Sequence, residues 1–187
     1  MNFLNSYEIP ILDFIADHFH CGFLDTVLPY ITSMADTGII WIITAVILLC
    51  FRKTRKAGCM MGLALIMGLV VGNLTLKPLI ARVRPYDFNP DVALLVKPLH
   101  DFSFPSGHTL ASFEGAGVLM LTHRKTLGYP ALLLAVIIAF SRMYLYVHYP
   151  TDVLVGVILG LTFAFASYKI IGAIYSAVEK KIAAKKA

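Results

Sequence analysis

Five long apolar stretches alternate with short polar or proline-containing breaks: roughly Ala35 to Phe51, Ala57 to Leu76, Gly107 to Thr122, Leu127 to Val147 and Val153 to Ile174. A helix needs about 20 residues to cross the hydrocarbon core of a bilayer. The second, fourth and fifth stretches suit that length and the other two are short, but all five read as spanning helices. Between Ile9 and His20, Leu12, Ile15 and Phe19 recur at helical spacing with Asp13, Asp17 and His20 between them. That pattern predicts an amphipathic helix lying along the membrane interface. The expectation is an all-α integral membrane helical bundle of about five transmembrane helices with an interfacial N-terminal helix. No repeat, low-complexity tract or linker divides residues 1–187, so a single domain is expected.

Composition supports a membrane protein: 58% of residues are hydrophobic, 14% are charged and mean hydropathy is +0.77, which excludes an ordinary soluble domain. A formal charge of +5 could suggest nucleic-acid binding, but the basic residues form no face or stripe, and no nucleic-acid partner is expected. Cys21, Cys50 and Cys59 offer neither an even disulfide count nor CxxC spacing. The first Lys or Arg is Arg52, so the basic start of a signal peptide is missing and the spans themselves direct insertion.

The basic residues set the expected orientation, because Lys and Arg stay on the cytoplasmic side of short loops. Ten of the sixteen lie in three places: Arg52, Lys53, Arg55 and Lys56; Arg124 and Lys125; and Lys180, Lys181, Lys185 and Lys186. Five spans put all three on one side. The N-terminal region, the loop from Lys77 to Ser106 and the turn from His148 to Asp152 then face the extracytoplasmic side.

Three polar groups fall on that outer side, where charge at membrane depth points to function. In the first, Lys77 and Arg84 are seven residues apart, two helical turns, so a helical segment ending at Pro85 would turn both cations one way. Headgroup binding by snorkelling is the alternative, and Arg82, off that face, is assigned to it. In the second, Pro105-Ser106-Gly107-His108 opens a span with free backbone amides, the positive end of a helix dipole, a hydroxyl and a histidine. The plainer reading is an N-cap by Ser106. In the third, Arg142, His148 and Asp152 supply a cation, a base or nucleophile and a carboxylate that fixes the imidazole tautomer. Asp152 also suits the cap of the fifth span. Together these residues offer what phosphoryl transfer needs, and no carboxylate cluster for a metal accompanies them, so neither metal nor cofactor is expected.

Lys77-x6-Arg84-Pro85, Pro105-Ser106-Gly107-His108 and Ser141-Arg142-x5-His148-x3-Asp152 resemble, at every signature position, the three motifs of the type 2 phosphatidic acid phosphatase family. The resemblance implies that His148 attacks phosphorus to form a phosphohistidine, that Asp152 orients it and that His108 protonates the leaving oxygen. Lys77, Arg84, Ser106, Gly107 and Arg142 would hold the phosphate. The compact chain is similar to bacterial family members that recycle undecaprenyl diphosphate, the lipid carrier of cell-wall synthesis, which implies an enzyme of the cell membrane with lipid phosphates as partners. Many members resemble a six-span plan, and this chain shows five and an interfacial helix. A related site occurs in vanadium-dependent haloperoxidases, but the spans argue against that activity.

A phosphatidylglycerophosphate or phosphatidate phosphatase is the alternative within this class. A lipid phosphotransferase and a non-enzymatic lipid-phosphate transporter or binding protein are alternatives of other classes. Glu114 inside the third span reads as a protonated or hydrogen-bonded packing group, since it points about 240° around the helix from His108. Asn73 could orient Lys77 or bond across helices, and Lys169 is expected to snorkel. The loop from Tyr86 to Phe104, with Asp87, Asp91, His100 and Asp101, is long enough to act as a substrate gate.

Overall fold

A computed structural model describes the backbone of residues 2–90 and 92–186 and the side chains of residues 5–90 and 92–185, so Asp91 and the Lys186 side chain lie outside it. Among the described residues the chain is helical, with no strand. The N-terminal helices are α1 (Asn2–Phe19) and α2 (Gly22–Ser33), and a 3₁₀ turn, Asp36–Gly38, leads into α3 (Ile39–Cys50). Helix α4 (Arg55–Gly68) continues through a π-helical stretch, Leu69–Leu76, into the short α5 (Lys77–Ile80), and α6 (Pro85–Phe88) follows. After an irregular loop come α7 (Gly107–Thr122), α8 (Tyr129–Tyr144) and α9 (Pro150–Lys186).

All five apolar stretches are therefore helices. Among the described residues three stretches are long and apolar enough to cross a membrane: Arg55–Phe88, Arg124–Tyr144 and Pro150–Lys185. The pair α2 and α3, bent by 41°, qualifies together as a fourth. Helix α2 is the element the hydropathy pattern did not anticipate. Helix α7 has 16 residues, about 24 Å at 1.5 Å per residue, short of the roughly 30 Å hydrocarbon core. It is the central helix, packed against α4, α8 and α9.

The exposed surface is apolar, with Ile43 and Val46 on α3, Leu133 on α8 and Ile158 and Phe165 on α9, as lipid contact requires. Inside, small residues dominate, because helices in lipid associate through close packing rather than through hydrophobic collapse. A Cβ on Gly160 of α9 would lie 2.7 Å from the Leu110 carbonyl oxygen of α7, and one on Gly117 of α7 would lie 2.7 Å from the Ala164 Cβ of α9. The predicted N-terminal helix is present and longer than expected. Leu12 and Ile15 are buried in a cluster with Tyr144, Leu145, Tyr146, Val147 and Tyr149, whereas Phe19 stays exposed. Its apolar face is thus spent on the protein end of the bundle.

Trp41, the chain's one tryptophan, is buried on α3 and donates from Nε1 to the Ser112 hydroxyl of α7 at 3.1 Å. A Cβ at Gly115 would lie 2.1 Å from Trp41 Cε3. We expect Gly115→Val to destabilise the bundle by about 1–3 kcal/mol through overpacking. Intrinsic fluorescence during thermal unfolding in detergent checks this, with the Trp41 emission already shifted at low temperature.

Candidate active site

The turn between α8 and α9 is ordered by its own backbone. The Arg142 carbonyl accepts from the N–H groups of both Val147 and His148, each at 3.2 Å, and Tyr146 takes a left-handed φ of 58°. Every residue from Leu145 to Tyr149 is buried. Asp152, in the first turn of α9, accepts the Tyr149 N–H on Oδ2 at 2.9 Å and so caps the helix. The same oxygen lies 3.5 Å from His148 Nδ1 and accepts from the Ser103 hydroxyl. One carboxylate oxygen therefore both caps α9 and lies beside the imidazole.

His148 Nε2 lies 3.3 Å from Arg84 Nη1. Burial pushes the His148 imidazole down to a pKa of about 3, and Arg84 and Arg142 act in the same direction against Asp152. The ring is consequently neutral at physiological pH. Arg84 is held by the carbonyl of Val147 at 2.7 Å, the carbonyl of Asp101 at 2.9 Å and Asp101 Oδ1 at 2.5 Å.

Lys77 and Arg84 do converge, but not through two continuous turns of helix. Helix α5 stops at Ile80, and Ala81 takes a left-handed φ of 47°. The two cations meet because both bind Asp101, Lys77 through Oδ2 and Arg84 through Oδ1. Burial works to raise the Asp101 carboxyl, and the two cations outweigh it and hold it at about 2. Asp101 comes from the predicted gate loop, whose Leu99 also brackets the Tyr86 hydroxyl through both its N–H and its carbonyl, at 2.9 Å each.

Arg82 corrects the sequence expectation outright. It does not snorkel to headgroups: it is 4% exposed and donates from Nη1 to Asp152 Oδ1 at 2.6 Å. Ser106 takes the plainer of its two readings. Its oxygen caps α7 by accepting from the Thr109 N–H and meets the Thr109 hydroxyl at 3.0 Å, and its own N–H donates to the Asp152 carbonyl. Its oxygen is thus engaged within α7. Gly107 sits against Asn73, whose Oδ1 would be 3.1 Å from a Cβ at position 107.

His108 Nε2 donates to Asp36 Oδ1 at 2.8 Å. Asp36 lies in the tight turn before α3, where Thr37 and Gly38 both have positive φ. Arg142 is buried, and its Nη1 donates to the Thr32 hydroxyl at 2.7 Å while Nε has no protein partner among the described residues. Asp36, Arg82, Ser103 and Asp101 were missed as site residues. Asp101 lay within a loop already suspected, but the other three carry no local signal.

Lys77, Arg84, Asp101, Gly107, His108 and His148 line one end of a cavity of about 1100 Å³. The rest of its wall is mostly apolar, including Ile42, Val46 and Leu49 of α3 and Leu65, Ile66 and Leu69 from α4 and the π-helical stretch. Glu114, expected as a packing group on a different face from His108, reaches the same wall in the space left by Gly68, with Oε1 unpartnered among the described residues. Lys169 lies over the Phe165 ring, 5.3 Å from its centroid. The described residues contain no group of three or more His, Cys, Asp or Glu able to hold a metal.

Residues 57–175 match the PAP2 superfamily. The undecaprenyl-diphosphatase of Sulfolobus acidocaldarius is 38% identical over 132 residues, 70% of this chain and 63% of that protein's length, a little under two thirds. The Bacillus subtilis undecaprenyl-diphosphatase BcrC is 28% identical over 80% of this chain and 76% of its own. The crystal structure of a transmembrane PAP2-type phosphatidylglycerolphosphate phosphatase from Bacillus subtilis superposes with a TM-score of 0.74 at 29% identity, covering 93% of this chain and 89% of that one. With the matched region spanning the bundle and every residue at the polar end of the cavity except Asp36 and the N-terminal contacts, this all-helical, multi-pass membrane chain belongs to the PAP2 superfamily.

Proposed function

We propose that this protein is a metal-independent lipid phosphatase of the cell membrane that removes the terminal phosphate of a polyprenyl diphosphate such as undecaprenyl diphosphate. The observation that carries the reading is the cavity itself: His108 and His148, with Lys77 and Arg84 and the carboxylates that hold them, line a space of about 1100 Å³ whose remaining wall is mostly apolar. An amphiphile with a phosphate head and a long hydrocarbon tail matches both ends. The names of the Sulfolobus and Bacillus relatives support the diphosphate. The Bacillus structural relative favours phosphatidylglycerophosphate as the second reading.

His148 Nε2 attacks phosphorus as the bond to the leaving oxygen breaks, while Asp152 on the Nδ1 side holds the ring and stabilises the cation that forms. Lys77, Arg84 and Arg142 and the first-turn amides of α7 take the charge that spreads over the equatorial oxygens, Arg142 contributing its spare Nε donor. His108, steadied by Asp36, gives a proton to the leaving oxygen. Water then attacks phosphorus, His108 takes its proton, and the N–P bond breaks to release phosphate and neutral His148. Ser106 contributes by capping α7 and so aiming its amides.

The site faces the extracytoplasmic side in this reading. Helices α4, α7, α8 and α9 run between the end that carries His108 and His148 and the end that carries Arg52 to Lys56, Arg124 and Lys125, and the C-terminal lysines. The positive-inside rule puts the second end in the cytoplasm.

Phosphate release by detergent-purified protein, with EDTA present, is measured on undecaprenyl diphosphate and phosphatidylglycerophosphate side by side. We expect preference for the diphosphate and no release by His148→Ala; preference for the phospholipid would select the second reading. His108→Ala is expected to slow monoester cleavage more than diphosphate cleavage, because a phosphate leaves with less help from an acid than an alkoxide does. Equal losses would remove His108 from the acid role. Asp101 competes with the substrate phosphate for Lys77 and Arg84, so Asp101→Asn is expected to lower KM several-fold with kcat within about twofold. A raised KM would show that Asp101 instead organises the two cations for binding.

A further inference from the structure

Asp152 has two oxygens, and the reaction described above uses only Oδ2. Oδ1 accepts from Arg82 Nη1 at 2.6 Å. Arg82 is not among the residues that line the cavity. Its other donors are all engaged: Nη1 also reaches the Thr151 hydroxyl at 2.7 Å, and Nη2 and Nε reach Asn5 Oδ1 at 2.8 and 3.3 Å. Nη2 pairs in addition with Glu8, and the guanidinium lies over the Tyr149 ring, 3.8 Å from its centroid.

Asn5 and Glu8 belong to α1 and are each 5% exposed. The second oxygen of Glu8 accepts the Thr151 N–H at 2.7 Å, so α1 also closes the first turn of α9. One cation thus sits between two buried carboxylates, and its planar fork reaches both at once, a geometry that an ammonium does not reproduce. A buried pair of this kind is costly to assemble and more costly to break on one side.

We propose that Arg82 is a positioning residue for the phosphatase reaction, locking the Asp152 carboxylate toward His148, and that Asn5 and Glu8 hold Arg82 in place, making the N-terminal helix a working part of the active site. This rests on the phosphatase reading. Helix α1 lies outside the residues 57–175 that match the superfamily, so the proposal concerns this chain's own N-terminal residues. With Oδ1 unheld, the carboxylate is anchored through Oδ2 alone, by the Tyr149 N–H and the Ser103 hydroxyl, and its plane can turn about that oxygen, so the imidazole is less firmly oriented for attack. Orientation of a nucleophile governs the rate of the chemical step rather than binding of the phosphate.

The test measures kcat, KM and thermal unfolding in the same detergent for Arg82→Gln, Arg82→Lys, Glu8→Gln and Asp152→Asn and for the pairs of neighbours. Arg82→Gln is expected to lower kcat about 10- to 100-fold, the usual range for outer partners of an active residue, with KM within about twofold. Arg82→Lys recovers part of that loss. Glu8→Gln costs less than Arg82→Gln and adds nothing in the Arg82→Gln background, and Arg82→Gln adds nothing once Asp152 is Asn, because each acts through the next. Lower unfolding temperatures with kcat within about twofold of wild type would mean bracing of the fold alone and would overturn the proposal. Losses that multiply between Glu8 and Arg82 would overturn it as well. Should Arg82→Gln fail to fold, Glu8→Gln and Arg82→Lys carry the same comparison. Absence of phosphate release by wild type defeats the phosphatase reading first and this proposal with it, a result distinct from any change among the variants.

Discussion

Charge buried at the end of an apolar bundle costs several kcal/mol unless it is paired. This bundle gathers Lys77, Arg82, Arg84 and Arg142 at one end, with the three arginines each at 4% exposure or less. Pairing the first three with carboxylates, and giving Arg142 a hydroxyl partner, shapes everything nearby. Asp101 draws the long loop over Lys77 and Arg84, Asp152 and Glu8 fix Arg82 between α9 and α1, and Thr32 brings α2 to Arg142. The N-terminal helices are therefore organised by charge as much as by their apolar faces.

Close packing of small residues supplies the second requirement. Helix α7 has to run beside α9 for its first turn to stand next to the α8–α9 turn, and Gly117 and Gly160 permit that approach at complementary points. The Ser106 N–H to Asp152 carbonyl bond, at 3.2 Å, joins the two helix starts directly. The start of α9 is closed by the carboxylates of Asp152 and Glu8, as the positive end of a helix dipole favours.

The cavity joins this polar end to an apolar wall contributed largely by α3 and α4, both of which also carry exposed apolar residues. At its polar end Asp101 answers Lys77 and Arg84, and Asp36 answers His108.

Much of this was legible along the chain. The five apolar stretches, the breaks between them and the amphipathic spacing of Leu12 and Ile15 follow from local periodicity, which a single sequence carries in full. The grouping of Lys77, Arg84, Gly107, His108, His148 and Asp152 was also legible, because each lies within a few residues of a helix end and the alternation of the apolar stretches puts those ends together. The mechanism by which Lys77 and Arg84 meet was not, since the left-handed break at Ala81 and the bridge through Asp101 replace the regular helix that spacing implied. Arg82 illustrates the limit most clearly: a lone arginine beside a span has the same local pattern whether it reaches lipid or is buried. Its fate depends on Asn5, 77 residues away, and on Asp152, 70 residues away. The sequence by itself determined which segments are helical and which ends bear charge, because those depend on near neighbours. Only the tertiary structure decided which charges pair, because pairing depends on distances between segments far apart in the chain.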